Sequence, residues 1–194
     1  MTGKDMPRVR AVLDHPLFQE AARGIALAER ERPFCGHGLG HLLDVARIAW
    51  ILNLERELGL GRETVYAAAL LHDIGRAEQY ARGVAHDEAG GQLAERILGT
   101  VDADTGFPPA EREAIVAAVR GHRGRHGREP EPVSAPSAGG AASAGGSLEG
   151  GAPPADALTR LIGEADRASR ACFACAARAD CYWPDGEKNL ELRI

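Results

Sequence analysis

The stretch Ala67-Ala68-Ala69-Leu70-Leu71-His72-Asp73-Ile74-Gly75-Arg76 decides how this chain is read. A run of small and apolar residues ends in two adjacent metal-ligand types and then a glycine. The run predicts a buried helix, with Gly75 as its stop. A histidine beside a carboxylate at the inner end of such a helix is costly to bury unless something pairs with it. A divalent metal is one partner. The other is a local arrangement in which His72 caps its helix and Asp73 meets an arginine. The dyad alone does not choose between them.

Working outward from this helix, placed at 62–74, helical patterns dominate. Residues 16–32 carry Leu17, Phe18, Ala21, Ala22, Ile25 and Ala28 at spacings of three and four. Residues 39–58 are apolar nearly all round in the middle, which predicts a central, buried element ending at Gly59 and Gly61. His86 opens a helix that runs through about Leu98 and is stopped by Gly99; Pro108-Pro109 begins another, to about Gly121. A last helix covers roughly 155–172. No stretch alternates apolar and polar residues as a half-buried strand does, so the expected fold is all-α: a compact multi-helix bundle around a central buried helix.

Residues 124–154 differ in kind. Pro130, Pro132, Pro136, Pro153 and Pro154 are interspersed with Gly-Gly pairs, alanines and serines. Such a composition buries too little apolar surface to offset the entropy of ordering it. The segment is expected to be a flexible insertion within one domain formed by 8–123 and 155–194. Closing a long loop costs only about 0.6 kcal/mol more per doubling of its length, so an insertion of this kind is cheap.

The 194 residues are 44% hydrophobic and 26% charged, the proportions of an ordinary globular domain. A net charge of -5 argues against a general nucleic-acid coat protein. No segment approaches the roughly 18 uninterrupted apolar residues of a membrane span. The start, Met1-Thr2-Gly3-Lys4-Asp5-Met6-Pro7, lacks the apolar stretch of a secretory signal. A cytoplasmic, reducing setting is therefore expected, with the four cysteines as thiols or metal ligands and not as disulfides.

Further ligand types stand on the other helices. His41 lies 31 residues before His72, on the helix with Leu42 and Val45; Asp166 lies 93 residues after Asp73, between Ile162 and Ala168. Each also has a purely structural reading, His41 bonded to a backbone carbonyl and Asp166 paired with Arg167 or Arg170. Taken with His72 and Asp73 they supply two imidazoles and two carboxylates, a donor set suited to iron, manganese, cobalt, nickel or zinc with positions left for water and substrate. His86 and His122 stand where two helices begin and end. His37 is a weaker candidate, four residues before His41. His15, before Pro16, reads as a turn residue, and His126 falls in the insertion.

The order His41, His72-Asp73, His86, His122, Asp166 on helical segments resembles the HD superfamily of metal-dependent phosphohydrolases, from about His37 to Arg170. Within it, the chain is similar to a small bacterial branch sharing His72-Asp73-Ile74-Gly75-Arg76 and the Ser169-Arg170-Ala171-Cys172-Phe173-Ala174-Cys175 run. The resemblance implies His41, His72, Asp73 and Asp166 as ligands of one metal. In members with extra histidines, residues placed like His86 and His122 hold a second that Asp73 bridges. The alternative is histidines that support the first metal's ligands, face phosphate or are simply exposed, so one or two divalent metals are expected. The resemblance also implies hydrolysis of a small phosphate ester, most simply a nucleotide, by a metal-activated water. Asp73 and Arg76 are then the catalytic candidates, and Arg76, Arg167 and Arg170 the candidates to bind phosphate. Two other classes share these residues: a di-iron oxygenase of the same superfamily, and a non-catalytic metal or redox sensor. A homodimer is also consistent with the resemblance. For stacking on a base, the aromatic candidates are Tyr80 and Trp50, the latter reading as core.

The cysteines form a second set. Cys172, Cys175 and Cys181 are spaced C-x2-C-x5-C, and the first pair has the spacing of a metal knuckle. Cys35, just before the His41 helix, is the remaining thiol. If His41 and Asp166 share a metal, the neighbouring chain ends approach, and Cys35 completes a four-cysteine site for zinc or an iron–sulfur cluster. The alternative is four idle thiols.

Overall fold

The computed structural model describes residues 5–101, 106–123 and 155–192, so the expected insertion at 124–154, with His126, lies outside the described residues. Among those described there is no strand. The elements are α1 (Pro7–Asp14), α2 (Pro16–Ala28), α3 (Leu39–Glu55), α4 (Arg62–Leu71), α5 (Arg76–Arg82), α6 (His86–Thr100), α7 (Pro109–Gly121) and α8 (Ala155–Ala168), followed by three single 3-10 turns. Among the described residues, no helix is long and apolar enough to cross a membrane.

The innermost element is the dyad-bearing helix. In α4, Thr64, Val65 and every residue from Ala67 to Leu71 are buried, and the helix packs against α1, α3, α7 and α8. Its three alanines let those neighbours come close. Leu70, Leu71 and Ile74 fill the space between them, each burial being worth about 1.5–3 kcal/mol. The apolar middle of α3 predicts burial on all sides. The helix instead buries one face, through Leu42, Val45, Ala46, Ala49 and Leu52, and leaves Ile51 and Leu54 exposed.

Helix boundaries differ from the expected ones where side chains intervene. α3 stops at Glu55, three residues short of its expected end, and the chain then turns through Glu57 in the left-handed region, φ 51°. Buried Asn53 clasps this turn, donating to Leu60 O and accepting from Leu60 N, both at 3.1 Å. α2 ends at Ala28, and α6 runs past Gly99 to Thr100. α8 ends at Ala168, not 172, because Asn189 folds back and donates to the carbonyls of Arg167, Ala168 and Arg170 at 2.6, 3.3 and 2.9 Å. His15 is the turn residue expected: its backbone is extended before Pro16, and its Nδ1 accepts from Leu17 N.

Gly75 has a different role from the one expected. Helix α4 already ends at Leu71, and Gly75 sits in the right-handed region (φ -70°, ψ -8°) as the entry to α5. What it provides is the absence of a side chain. A Cβ there would lie 2.0 Å from His86 O and 2.3 Å from Gly90 N, so the dyad turn rests directly on the α6 backbone. Gly163 does the same for α8, where a Cβ would meet His122 O at 2.2 Å. The short helix α5 buries no residue, so no apolar period announces it.

Candidate metal centre

Six ligand-type side chains from five segments converge at the inner end of α4. His41 projects from the first turn of α3, His72 and Asp73 from the turn after α4, His86 from the start of α6, His122 from the end of α7 and Asp166 from the last turn of α8. They fall into two groups, His41–His72–Asp73–Asp166 and Asp73–His86–His122, with one ligand atom from each member lying within 4.8 Å of the others in its group. Asp73 belongs to both. Its Oδ2 lies 3.5 Å from His72 Nε2 and 3.7 Å from His41 Nε2; its Oδ1 lies 3.4 Å from His86 Nε2 and 3.8 Å from His122 Nε2. Asp166 Oδ1 closes the first group, 3.3 Å from His41 Nε2 and 3.8 Å from His72 Nε2.

The backbone fixes which ring nitrogen faces inward. His72 Nδ1 donates to Ala69 O at 2.6 Å, and His122 Nδ1 to Val119 O at 2.8 Å. His41 Nδ1 is 3.3 Å from Ser169 Oγ, whose own proton goes to Asp166 O, so the imidazole is the donor. In all three the Nε2 lone pair is left for the cluster, the usual arrangement behind a metal-ligating imidazole. His86 is buried, and neither of its ring nitrogens has a hydrogen-bond partner; Asp73 Oδ1 also lacks one. Arg76 Nε approaches that oxygen at 2.9 Å, but too poorly aligned for a hydrogen bond.

His41 Nε2 and His72 Nε2 face each other at 3.4 Å, and together with the unpartnered His86 Nε2 and Asp73 Oδ1 this set of facing donor atoms fits divalent cations. The field agrees. Burial opposes charge on His72, yet Asp73 and Asp166 outweigh it and push its pKa up to about 10, so without a cation Nε2 carries a proton that a bound metal would displace. Burial likewise resists ionisation of Asp73, but His72, His41 and Arg76 hold it well below the usual carboxylate range. In the second group burial prevails, and His86 and His122 are pushed down to about 4, neutral imidazoles ready to donate a lone pair. These residues can therefore hold a metal.

The site opens into a cleft of about 130 Å³ whose walls carry cations and aromatics. Arg76, Arg167 and Arg170 all line it. His37 lies at its edge, 4.0 Å from Asp73 Oδ2, with its Nδ1 turned to Glu29. Tyr80, a stacking candidate in the sequence, instead donates its hydroxyl to Glu29, and Trp50 packs against the core. The aromatic wall comes from residues that sequence reasoning did not single out. Trp183 lines the cleft with its ring 4.7 Å from Arg170 Cζ, and Tyr182 stacks on it at 5.4 Å. Their position directly after Cys181 was the available signal. Ser169 and Glu29, which orient His41 and His37, carried none.

The four cysteines also meet. All are free thiols, Cys172 buried and Cys35 exposed, and together they line one small cavity behind the cleft wall. Burial and the three other thiols push the Cys35 thiol up.

Comparison with known proteins places this architecture. A model of the HD domain matches residues 38–171. An uncharacterized protein of Clostridium beijerinckii is 31% identical over 164 residues, 84% of each chain. Ribonuclease Y of a Sulfurovum species is 29% identical over 118 residues, 61% of this chain and 20% of that protein. Ribonuclease Y of Aquifex aeolicus is 33% identical over 96 residues, 50% of this chain and 14% of that one. Among solved structures, a predicted HD superfamily hydrolase from an uncultured Thermotogales bacterium shares the fold, with a TM-score of 0.51 at 22% identity, covering 90% of this chain and 83% of that chain.

Proposed function

Because this chain belongs to the HD domain family, we propose that it is a metal-dependent phosphohydrolase acting on a small phosphate ester, in the first instance that of a nucleotide. The observation that carries the reading is the division of Asp73: one carboxylate oxygen faces His41 and His72, the other His86 and His122. On this reading His41, His72, Asp73 and Asp166 hold one cation, and Asp73, His86 and His122 a second. When bound, such cations lower the pKa of a coordinated water toward neutrality and offset charge on phosphoryl oxygens.

The chain's own residues do the rest. Asp73 fixes the spacing of the two ligand groups. Arg76, held at that carboxylate from the start of α5, presents its guanidinium to the cleft and takes a phosphoryl oxygen. Arg167 and Arg170 bind the remaining phosphate charge. Trp183 and Tyr182 give a base or other flat leaving group a face to stack on. The two ribonuclease Y relatives match part of this chain, and their name draws phosphodiesters into the substrate class to be tried. Four free thiols fit a reducing, cytoplasmic setting.

The test is elemental analysis of protein purified without a metal-binding tag, with a panel of nucleotide mono- and diesters assayed in added manganese, cobalt, nickel, iron or zinc. Turnover that disappears in His72→Ala and Asp73→Ala supports the proposal. Loss in those variants with full turnover in His86→Ala and His122→Ala would reduce it to a one-metal enzyme. Mixed-valence iron consuming dioxygen without any ester hydrolysis would replace it with an oxygenase.

A further inference from the structure

The segment after α8 has little of what normally holds a folded chain in place. From Ser169 to Leu192 the backbone forms single 3-10 turns, and only Cys172 and Asn189 are buried. Phe173, Tyr182, Leu190 and Leu192 are all exposed. With so few apolar groups removed from water, hydrophobic burial cannot offset the entropy of ordering these residues. Small elements lacking a core are commonly stapled by a metal or a disulfide.

The chain's four cysteines lie at the right place for a staple. Cys172, Cys175 and Cys181 come from the tail, Cys35 from the loop between α2 and α3, and all four line the same cavity. That cavity is small, about 20 Å³, of the order of a single small ion or water. A divalent ion held by four thiolates carries a net charge of minus two, which needs compensation. Arg170, Arg178 and Lys188 line the same cavity, with the Lys188 side chain only 8% exposed. The His–Asp groups already have their ligand atoms within 4.8 Å of one another; the four sulfurs are more loosely placed, so binding an ion requires them to draw together.

We propose that Cys35, Cys172, Cys175 and Cys181 form a tetrathiolate zinc site that staples the C-terminal tail to the loop before α3. The site is structural, because four protein ligands leave no open position. Its consequence for the cleft is positional. Arg170 precedes Cys172 by two residues, Trp183 follows Cys181 by two, and Phe34 precedes Cys35 by one; all three line the cleft. Zinc thus holds in place a part of the cleft wall, without touching the reaction.

The experiment is zinc K-edge X-ray absorption and elemental analysis on the full chain, purified without a metal-binding tag. Expected is one zinc per chain with sulfur neighbours at about 2.3 Å, a shell that no His–Asp ligand can produce. After dialysis against a chelator, Cys35→Ser should retain at least tenfold less sulfur-bound zinc than wild type, with its far-ultraviolet circular dichroism unchanged, since Cys35 lies on an exposed loop. The wild-type spectrum decides alone if that variant fails to fold. Zinc with only nitrogen and oxygen neighbours would overturn the proposal. So would iron with acid-labile sulfide, or four thiols that all react at once with a disulfide reagent in the native protein. None of these outcomes bears on whether the His–Asp centre hydrolyses phosphate esters, so the two readings fail separately.

Discussion

Replacing Gly75 by alanine adds a single methyl group, and the packing around it makes this one of the most damaging changes of its size. The new Cβ would stand 2.0 Å from His86 O, 2.3 Å from Gly90 N and 2.8 Å from Gly90 Cα. Ordinary carbon contacts begin near 3.5 Å, so the dyad turn and α6 must part by roughly 1.5 Å. All three obstacles are backbone, so no side-chain rotation relieves them. Overpacking of this kind costs typically about 1–3 kcal/mol, and we expect the upper end. Gly91→Ala is the control on the same helix. The three atoms nearest its Cβ, at 2.4–3.0 Å, all belong to the side chain of Arg120, which is exposed and can move aside at the small cost of a surface ion pair with Glu95, while alanine gains up to about 1 kcal/mol of helix propensity. Urea unfolding of chelator-stripped protein reads both without interference from bound ions. With an m-value of about 2 kcal/mol/M, Gly75→Ala should lower the midpoint by about 1–1.5 M, and Gly91→Ala should leave it unchanged or raise it. If the two midpoints agree within about 0.2 M at equal m, the close approach does not constrain the fold, and the account of how His86 is set against Asp73 fails with it.

Other consequences are as specific. Asn53→Ala should cost about 2–3 kcal/mol by leaving both polar groups of Leu60 unpartnered in a buried turn, again read by urea midpoint. Glu57→Gly should raise the midpoint, since a non-glycine residue at φ 51° carries about 1 kcal/mol of backbone strain; a lower midpoint would refute this. With a turned-over ester in hand, Arg170→Ala should raise KM at least tenfold with kcat changed less than threefold, as fits a residue that binds phosphate away from the reacting bond; an equal fall in kcat would place it at the bond instead. For the same substrate, kcat/KM should fall several-fold between about 25 and 300 mM salt, and a flat profile would argue against an anionic substrate.

The His–Asp centre is legible in the sequence because metal ligands must be particular residue types, and a buried helix that ends in two of them side by side needs a charged partner for both. All six expected ligands converge, and the dyad helix is the most deeply buried. Illegible is whatever depends on the absence of atoms or on distant pairing. Gly75 looks like a helix stop in one dimension; its reason is the α6 backbone, which no local pattern contains. The composition of α8 runs on through Ala171 and Cys172, whereas the carbonyls that end the helix are claimed by Asn189, some 20 residues on. The aromatic face escapes the sequence for a related reason. Tyr182 and Trp183 sit in a tail without period, and contacts distant in sequence, Asn189 on the end of α8 and Trp183 on Arg170, bring that tail to the cleft.

The balance of charge in the cleft bears directly on what it can accept. His41, His72 and His122 each keep a proton on Nδ1, so as ligands they are neutral. On the two-metal proposal, two divalent ions would bring four positive charges to a centre whose carboxylates, among the described residues, are Asp73 and Asp166. Arg76 adds another at the carboxylate, and Arg167 and Arg170 two more at the wall. The chain as a whole carries -5, so this positive potential is local and not a feature of the surface at large. At an effective dielectric of about 20, one charge pair at 4 Å is worth about 4 kcal/mol, and such an excess demands an anion. A phosphate monoester supplies up to two negative charges and a diester one, with oxygens to spare for the guanidiniums. A neutral substrate would leave the same cations unsatisfied, which is why the arginines, and not the metal ligands that several chemistries share, favour phosphoryl chemistry here.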